Sequence, residues 1–462
     1  MKQIVTLLAL ALLVMPATNW GASAKPMFPY QSAQPDSPVE LWTAEEYKDF
    51  YDASATQDMA KKIQLFEQFT TKYPGSALVP LVRRNLVFAY LQTQDLAKAF
   101  QAGDAYLNSH HEKYAEAFDR AYGDLFKKAE ATLPMKPTDD FDVLINLIVA
   151  SNGAARAKNT SFDTQTKRYI ELASNLIKPD SPPPTMPKAR WTGNENAFQA
   201  VLQQTVGLMS FNHAGFKLTN RSLDALKSEG VSEAVTGKLT SLLDREFDAL
   251  DKLNSEVQAL VGAQEMATLK PLLGKYAVNR QPYYQAAEHL AKAAALAPTD
   301  PVTFYLWGEA CRLGKYADLR DAVDQTQKEY NNLSGQLKQI ETQVKQINDE
   351  LTRLSKAPRQ TEQTKNRIEE LSKQGQELAQ KGESLTPRLD QLEAENDRLV
   401  EETNQLTDQM IRIYAKAVAL SANVPPLQQN ARSHLERYYK YRNKGVLDGL
   451  PALIERMKTE QP

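Results

Sequence analysis

Between Tyr330 and Leu420 the apolar residues fall into two heptad seams, a pattern that leaves little choice but helices packed side by side. Leu333, Leu337, Ile340, Val344, Ile347, Leu351 and Leu354 follow steps of four and three without a miss. A second series runs from Ile368 through Leu371, Gly375, Leu378, Gly382, Leu385, Leu389, Leu392, Asn396, Leu399, Thr403, Leu406 and Met410 to Leu420. Between them Lys356-Ala357-Pro358-Arg359 breaks the register, since proline lacks the amide a helix interior needs. The economical reading is an antiparallel hairpin, with helix 322–355 running outward, 360–397 returning and the tip near Pro358. At about 1.5 Å per residue such a projection reaches roughly 50 Å. Gly375, Gly382 and Pro387 weaken the returning helix and invite a kink, interior glycine costing about 1 kcal/mol and proline about 3. Besides burying each other, the seams are expected to present a surface to a partner or to a second copy.

The remaining chain is ordinary in composition. Lys and Arg number 55 against 57 Asp and Glu, a net charge of -2, and 42% of the 462 residues are hydrophobic. A strongly basic nucleic-acid binder and a wholly disordered chain are thereby disfavoured, and no nucleic-acid partner is expected. At roughly 100 to 200 residues per domain, the length suits several folding units or one repeat array with an insertion.

The first residues read as an address. Lys2 supplies a positive start, Ile4 to Met15 is apolar apart from Thr6, and Ala22-Ser23-Ala24 offers a cleavage site, so residues 1–24 are expected to be a secretory signal peptide. The apolar core is shorter than the roughly 20 residues that span a bilayer, and no direct membrane insertion is expected. The sole cysteine, Cys311, is far from the cleavage point, which argues against lipid attachment and suits an oxidising compartment. The style of the leader suggests a bacterium, hence a periplasmic or secreted protein. Residues 25–40 carry Pro26, Pro29, Pro35 and Pro38 and read as a linker. From Leu41 the pattern is helical nearly to the end. It is interrupted at Pro134 to Pro137 and at 179–190, where Pro179, Pro182, Pro183, Pro184 and Pro187 mark either a subdomain boundary or a loop within one array.

Internal periodicity organises the helices. Leu273-Gly274 recurs as Trp307-Gly308 34 residues later, and Tyr283, Ala286, Leu290, Ala293 and Pro298 form a second helix whose small residues permit close approach. These residues resemble the tetratricopeptide repeat family, well over Leu273 to Pro298 and partly over Phe304 to Tyr316. Phe66, Phe69 and Pro74, followed by Leu86, Ala89, Tyr90, Leu96 and Ala99, carry the same mark, and FEQFTTKYPGSALVP is similar to such units in bacterial envelope proteins. Residues 141–260 are helical but fit the repeat poorly. The expectation is an all-α fold: an irregular tetratricopeptide-like α-solenoid at 41–178 and 191–316, the coiled-coil hairpin inserted at 317–410, and a last repeat and cap at 411–462. The helix at Phe304 to Tyr316 lacks its second member, and Tyr414 to Leu420 supplies one only after the hairpin, so the insertion lies inside a repeat.

No chemistry converges. His110-His111-Glu112 is a poor metal constellation, since neighbours on a helix point about 100° apart; the zinc-protease pattern fails at Ala115, and no phosphate loop or G-x-S-x-G elbow occurs. Cys311 is expected to be a buried, inert thiol. No catalytic residue, cofactor or metal is expected. In tetratricopeptide-like arrays the first helices line the concave face; the resemblance therefore nominates Arg84, Phe88, Gln92, Lys275, Asn279, Tyr305, Glu309 and Arg312 as partner-binding positions, able to hold an extended peptide or a chain carboxylate. Arg437-Tyr438-Tyr439-Lys440-Tyr441-Arg442 is a second unusual surface, able to stack on bases or sugars but expected to pack its tyrosines on the last repeat. The leading functional expectation is a non-enzymatic scaffold binding proteins of the cell envelope, with self-association through the coiled coil a related possibility. Membership of an outer-membrane assembly or export complex is an alternative, and so is a carbohydrate or small-molecule site in residues 141–260.

Overall fold

The computed structural model describes residues 42–109, 140–178, 182, 188–247, 249–356 and 361–460. The expected signal peptide, the 25–40 linker, His110 and His111, the Pro134 to Pro137 interruption, most of the 179–190 stretch and the hairpin tip at Pro358 lie outside the described residues. The fold is all-α, with one minimal exception: Phe216–Lys217 (β1) and Glu246–Phe247 (β2) pair antiparallel. Two compact units form, one from the chain up to Asn212 with Gln285–Phe304, the other from His213–Tyr284 with Tyr305 onward.

The first unit contains α1 (Ala44–Ala55), α2 (Met59–Lys72), α3 (Val79–Gln92), α4 (Leu96–Leu107), α5 (Asp140–Arg156), α6 (Asp163–Leu176) and α7 (Lys188–Asn212). Polar residues set the helix starts. Thr43 and Glu46 close a reciprocal capping box on α1, while Asp58 and Asp95 accept from the amides of Lys61 and Lys98. Between α3 and α4, Gln94 adopts φ 60° and the Asp95 amide donates back to the Tyr90 carbonyl, which reverses the chain in three residues. Phe66, Phe69, Val82, Phe100, Tyr106, Phe141, Leu147, Tyr169 and Trp191 form one buried core. Gly103 lets α4 approach α5, where an added Cβ would stand 2.5 Å from Leu147. Because α6 and α7 flank the proline cluster and share this core, the division between units falls after Asn212 and not at residues 179–190.

In the second unit, α8 (Asn220–Ser228), α9 (Glu233–Leu239), α10 (Leu250–Val261) and α11 (Ala263–Tyr276) enclose Leu218, Leu226, Leu239, Leu253, Val257, Leu269 and Leu273. Next come α12 (Gln281–Leu296) and α13 (Pro301–Cys311), whose ends fall in different units. A π-helical turn, Arg312–Tyr316, carries Gly314 at φ −91°, ψ −106° and re-aims the chain into α14 (Ala317–Ser355). The returning helix α15 (Glu362–Leu420) begins at a Thr361 cap. It is followed by α16 (Pro425–Arg442) and α17 (Leu450–Arg456).

The pairing of α14 with α15 is antiparallel and in register. Lys315 meets Glu402, Glu329 meets Arg388, Leu337 lies over Gly382, Ile347 over Gly375 and Glu350 meets Arg367, so one number rises as the other falls. Every expected seam residue is buried or half-buried: Leu333, Leu337, Ile340, Val344, Ile347, Leu351 and Leu354 on α14, and Leu389, Leu392 and Leu399 on α15. Two details differ from expectation. The outgoing helix starts at Ala317 and not at 322. The returning helix does not stop at 397 but continues unbroken, through Pro387, to Leu420. Its last turns keep apolar residues on several sides, which other helices cover.

The seam glycines leave unused space. A methyl at Gly375 would lie 3.5 Å from Ile347, and one at Gly382 3.4 Å from Leu337, both ordinary contacts. Gly375→Ala and Gly382→Ala are each expected to stabilise the hairpin by about 1 kcal/mol through helix propensity, read as slower amide exchange of α14 and α15 in the full chain. Faster exchange in either variant would show that the seam needs the glycines.

Candidate protein-interaction surface

The hairpin grows from a buried polar knot. Gly308 on α13 faces the Tyr414 ring of α15 so closely that an added Cβ would come within 2.7 Å of it. Tyr414, fully buried, donates its hydroxyl to Glu309 Oε1 at 2.7 Å, and Arg312 donates to both Glu309 oxygens at 3.0 and 2.6 Å. His434 Nε2 lies 3.4 Å from the same carboxylate. The His434 and Tyr438 rings of α16 stack on Tyr414 at 5.4 and 6.2 Å. Tyr414 of α15 is thus the residue that joins the returning helix to α13, through Gly308, Glu309 and Tyr305.

Electrostatics in the knot follow from this packing. Burial works to raise the Glu309 carboxyl, but the Arg312 hydrogen bonds and charge, with the Tyr414 hydroxyl, outweigh it and hold the group below its ordinary value. Burial lowers His434, and the Arg312 and Arg437 charges add to that against the opposing pull of Glu309. The Tyr414 phenol is pushed well above its ordinary value by burial and by Glu309.

A second set of contacts holds the base of α14. Arg280 reaches Asp318 and Asp321, both at 2.8 Å, the Tyr284 hydroxyl donates to Asp318 at 2.8 Å, and Arg221 donates to the Asp318 carbonyl. Higher up, Glu229 accepts from Lys328 at 2.7 Å and from Tyr276, contacts that hold its carboxyl at about 2. A groove of about 490 Å³ opens beside this base, and most of its charges pair among themselves, Lys315 and Arg398 with Glu402, Arg388 with Glu329 and Arg221 with Asp318.

The eight nominated groove positions are divided between the units. In the first, Arg84 is only 6% exposed, donating to Asp142 at 2.9 Å with its guanidinium over Phe88, which is half-buried; Gln92 is exposed. In the second, Lys275 is exposed and donates to Tyr276, while the half-buried Asn279 donates its amide to the Gly215 carbonyl. Tyr305 is half-buried beside Tyr414, and Glu309 and Arg312 belong to the knot. Arg84, Glu309 and Arg312 are therefore corrected from groove-lining to structural residues, because each sits opposite a group of complementary charge. His434, Arg280 and Asp318 escape sequence reasoning; Tyr414 enters it only as the start of the helix segment after the hairpin, and the missing side chain of Gly308, which makes room for a ring, is the signal for its contact.

Other expectations find their places. Cys311 is buried, and burial pushes its thiol up to about 12. Of the basic-aromatic cluster, Tyr438 is buried in the knot, Tyr439 donates to the Asp448 carbonyl, and Tyr441 is 49% exposed. Among the described residues no group of three or more His, Cys, Asp or Glu could hold a metal ion. No described helix is long and apolar enough to cross a membrane.

Residues 314–440, from the Gly314 turn through most of α16, match the model of a family described as growth-arrest specific micro-tubule binding. No curated protein matches the chain. The matched region is the coiled coil and its root, and a coiled coil is an element for contact between proteins or between copies of one protein.

Gly308→Ala is expected to destabilise the second unit by about 1–3 kcal/mol, because the buried Tyr414 ring cannot move aside; urea denaturation checks it, an unchanged midpoint refuting the packing argument. The knot also sets a pH dependence. A histidine lowered in the fold contributes stability above the ordinary imidazole range and loses it as pH falls through that range; lowered Glu309 loses its share further down. The thermal midpoint is therefore expected to drop between pH of about 7.5 and 5.5, and to drop less in His434→Gln. His289 of the first unit, also lowered by burial, adds to the drop.

Proposed function

We propose that the protein is a non-enzymatic scaffold exported to the bacterial envelope, which brings proteins together through tetratricopeptide-like helical pairs and the projecting coiled coil. The observation that carries this reading is the way the hairpin is rooted. Its outgoing helix is held by Arg280 and Asp318 and its returning helix continues into the Tyr414 knot, so the projection has a fixed direction at its base. A fixed projection suits presentation to a partner, and helical repeats supply extended contact area without a catalytic pocket. Export rests on the leader-like start of the chain. The family match favours a second reading, attachment of the hairpin to a filament, because the family's description names microtubule binding. Export of the chain would separate it from any cytoplasmic filament, so finding where the protein resides decides between the two.

The test is affinity purification from the native source of the full chain beside a version with residues 334–384 replaced by a short glycine-rich turn. That replacement leaves the Glu329–Arg388 pair and everything below it intact. Loss of specific partners in the shortened version, with helical content below the cut preserved, is the expected result. Retention of all partners would remove the hairpin from the proposed function, and recovery of either version in the cytoplasmic fraction alone would remove export.

A further inference from the structure

One face of the returning helix is uniformly acidic. Glu383, Asp390, Glu393, Asp397, Glu401 and Asp408 are all exposed and follow steps of 7, 3, 4, 4 and 7, which align them along one side of α15 over roughly 38 Å. They occupy heptad positions away from the seam, and the cations of α15 between Gly382 and Asp408 are Arg388 and Arg398. Arg388 flanks the seam and faces Glu329 across the hairpin, while Arg398 stands at the edge of the stripe and is turned away from it by its bond to Glu402.

The lower end of this stripe is already in use. α16 runs back along α15, from Gln428 at the Val418 carbonyl to Arg442, which donates to both oxygens of Asp408 at 2.8 and 2.9 Å. Glu401, the next acid up, adds its charge at Arg442. There α16 ends. Above it, Glu383, Asp390, Glu393 and Asp397 continue the stripe without an ion-pair partner among the described residues, and Ala394 and Thr386 beside them leave room for a second helix.

The complementary surface is on the same chain. The end of α16 and the turn after it expose Arg437, Lys440 and Lys444 with no acidic residue between them and no ion-pair partner among the described residues. Tyr441 and Val446, 49% and 48% exposed, are two of the large apolar side chains left in solvent. A cationic patch on the end of α16 and an anionic stripe on the α15 stretch beyond it carry opposite charge on one chain, and such a pair of surfaces is self-complementary. Turning a second copy by a twofold rotation puts each patch on the other's stripe, repeating between chains the Arg442–Asp408 contact made within one.

We propose that the protein self-associates as an antiparallel twofold dimer, with the α16 end of each copy docked on the acidic stripe of the other's α15. The interface is electrostatic, so it weakens with salt. It stands independently of the scaffold reading, since a dimer built this way needs neither export nor a further partner.

The test uses the full chain in light scattering and sedimentation velocity at about 50 mM and about 500 mM salt. The wild type is expected to dimerise at low salt, with a Kd at least about tenfold weaker at high salt. Two charge-reversed chains are then compared, Lys440→Glu/Lys444→Glu and Glu393→Lys/Asp397→Lys, each checked for native helical content. Each alone is expected to be monomeric. An equimolar mixture is expected to restore a salt-sensitive heterodimer, because every reversed patch then meets a reversed stripe. A wild type monomeric at low salt, reversals that dimerise as the wild type does, or a mixture that stays monomeric would each overturn the proposal, the first leaving the stripe to a basic partner of another kind.

Discussion

The hydrogen bond from Tyr414 to Glu309 joins residues 105 positions apart, closing the chain across the whole hairpin. Bringing together the ends of so long an excursion carries an entropic cost that local helix formation does not meet. The knot meets it by packing rather than by charge alone: Gly308 opens a slot, the Tyr414 ring fills it, and His434 and Tyr438 cover the ring. A carboxylate buried there would be costly if unpaired, and the two Arg312 hydrogen bonds remove that penalty. The polar groups are therefore more than decoration of a core. They fix which turn of α15 meets α13, where apolar contact alone would tolerate a slip of one turn.

Above the root the coiled coil is sparingly stabilised. Two seam positions are glycine, Pro387 interrupts the hydrogen-bond ladder of α15, and Asn396 leaves its buried Oδ1 without a partner among the described residues. A polar seam residue lowers stability while penalising other registers. With cross-hairpin pairs at Lys315–Glu402, Glu329–Arg388 and Glu350–Arg367, register is specified by charges at the flanks as much as by apolar residues at the seam.

The hairpin was legible in the sequence because a heptad pattern is local: seven residues in a row state both the helix and the face it buries. The break between the seams is equally local, and α14 ends at Ser355 before α15 begins at Glu362. The knot was not legible, since Glu309, Arg312, Tyr414 and His434 come from three separate stretches and each looks like an ordinary helix residue in its own. Arg84 shows the same limit from the other side. Its helical position beside core residues was read correctly, but exposure depended on Asp142, 58 residues away, which draws it inward. The β1–β2 pair is two residues per strand, too short to leave any alternation. The unit division after Asn212 escaped notice because the chain turns there without a proline cluster, whereas the clustered prolines at 179–190 interrupt a single core.

The two helices of the hairpin do not enter the second unit alike, and this asymmetry governs what the projection can transmit. α14 is joined to α13 through Gly314, whose backbone leaves the helical region and whose missing side chain lies against Tyr283. α15 has no such joint: from Glu362 it runs as one helix into the knot and ends there at Leu420. A load applied along the hairpin is thus carried to the knot by α15, while α14 can adjust at Gly314 and is steadied by Arg280, Asp318 and Asp321. The acidic stripe lies on the rigid member of the pair. A partner docked on that face would therefore be held in a fixed orientation relative to the second unit, which a surface on α14 would hold less firmly.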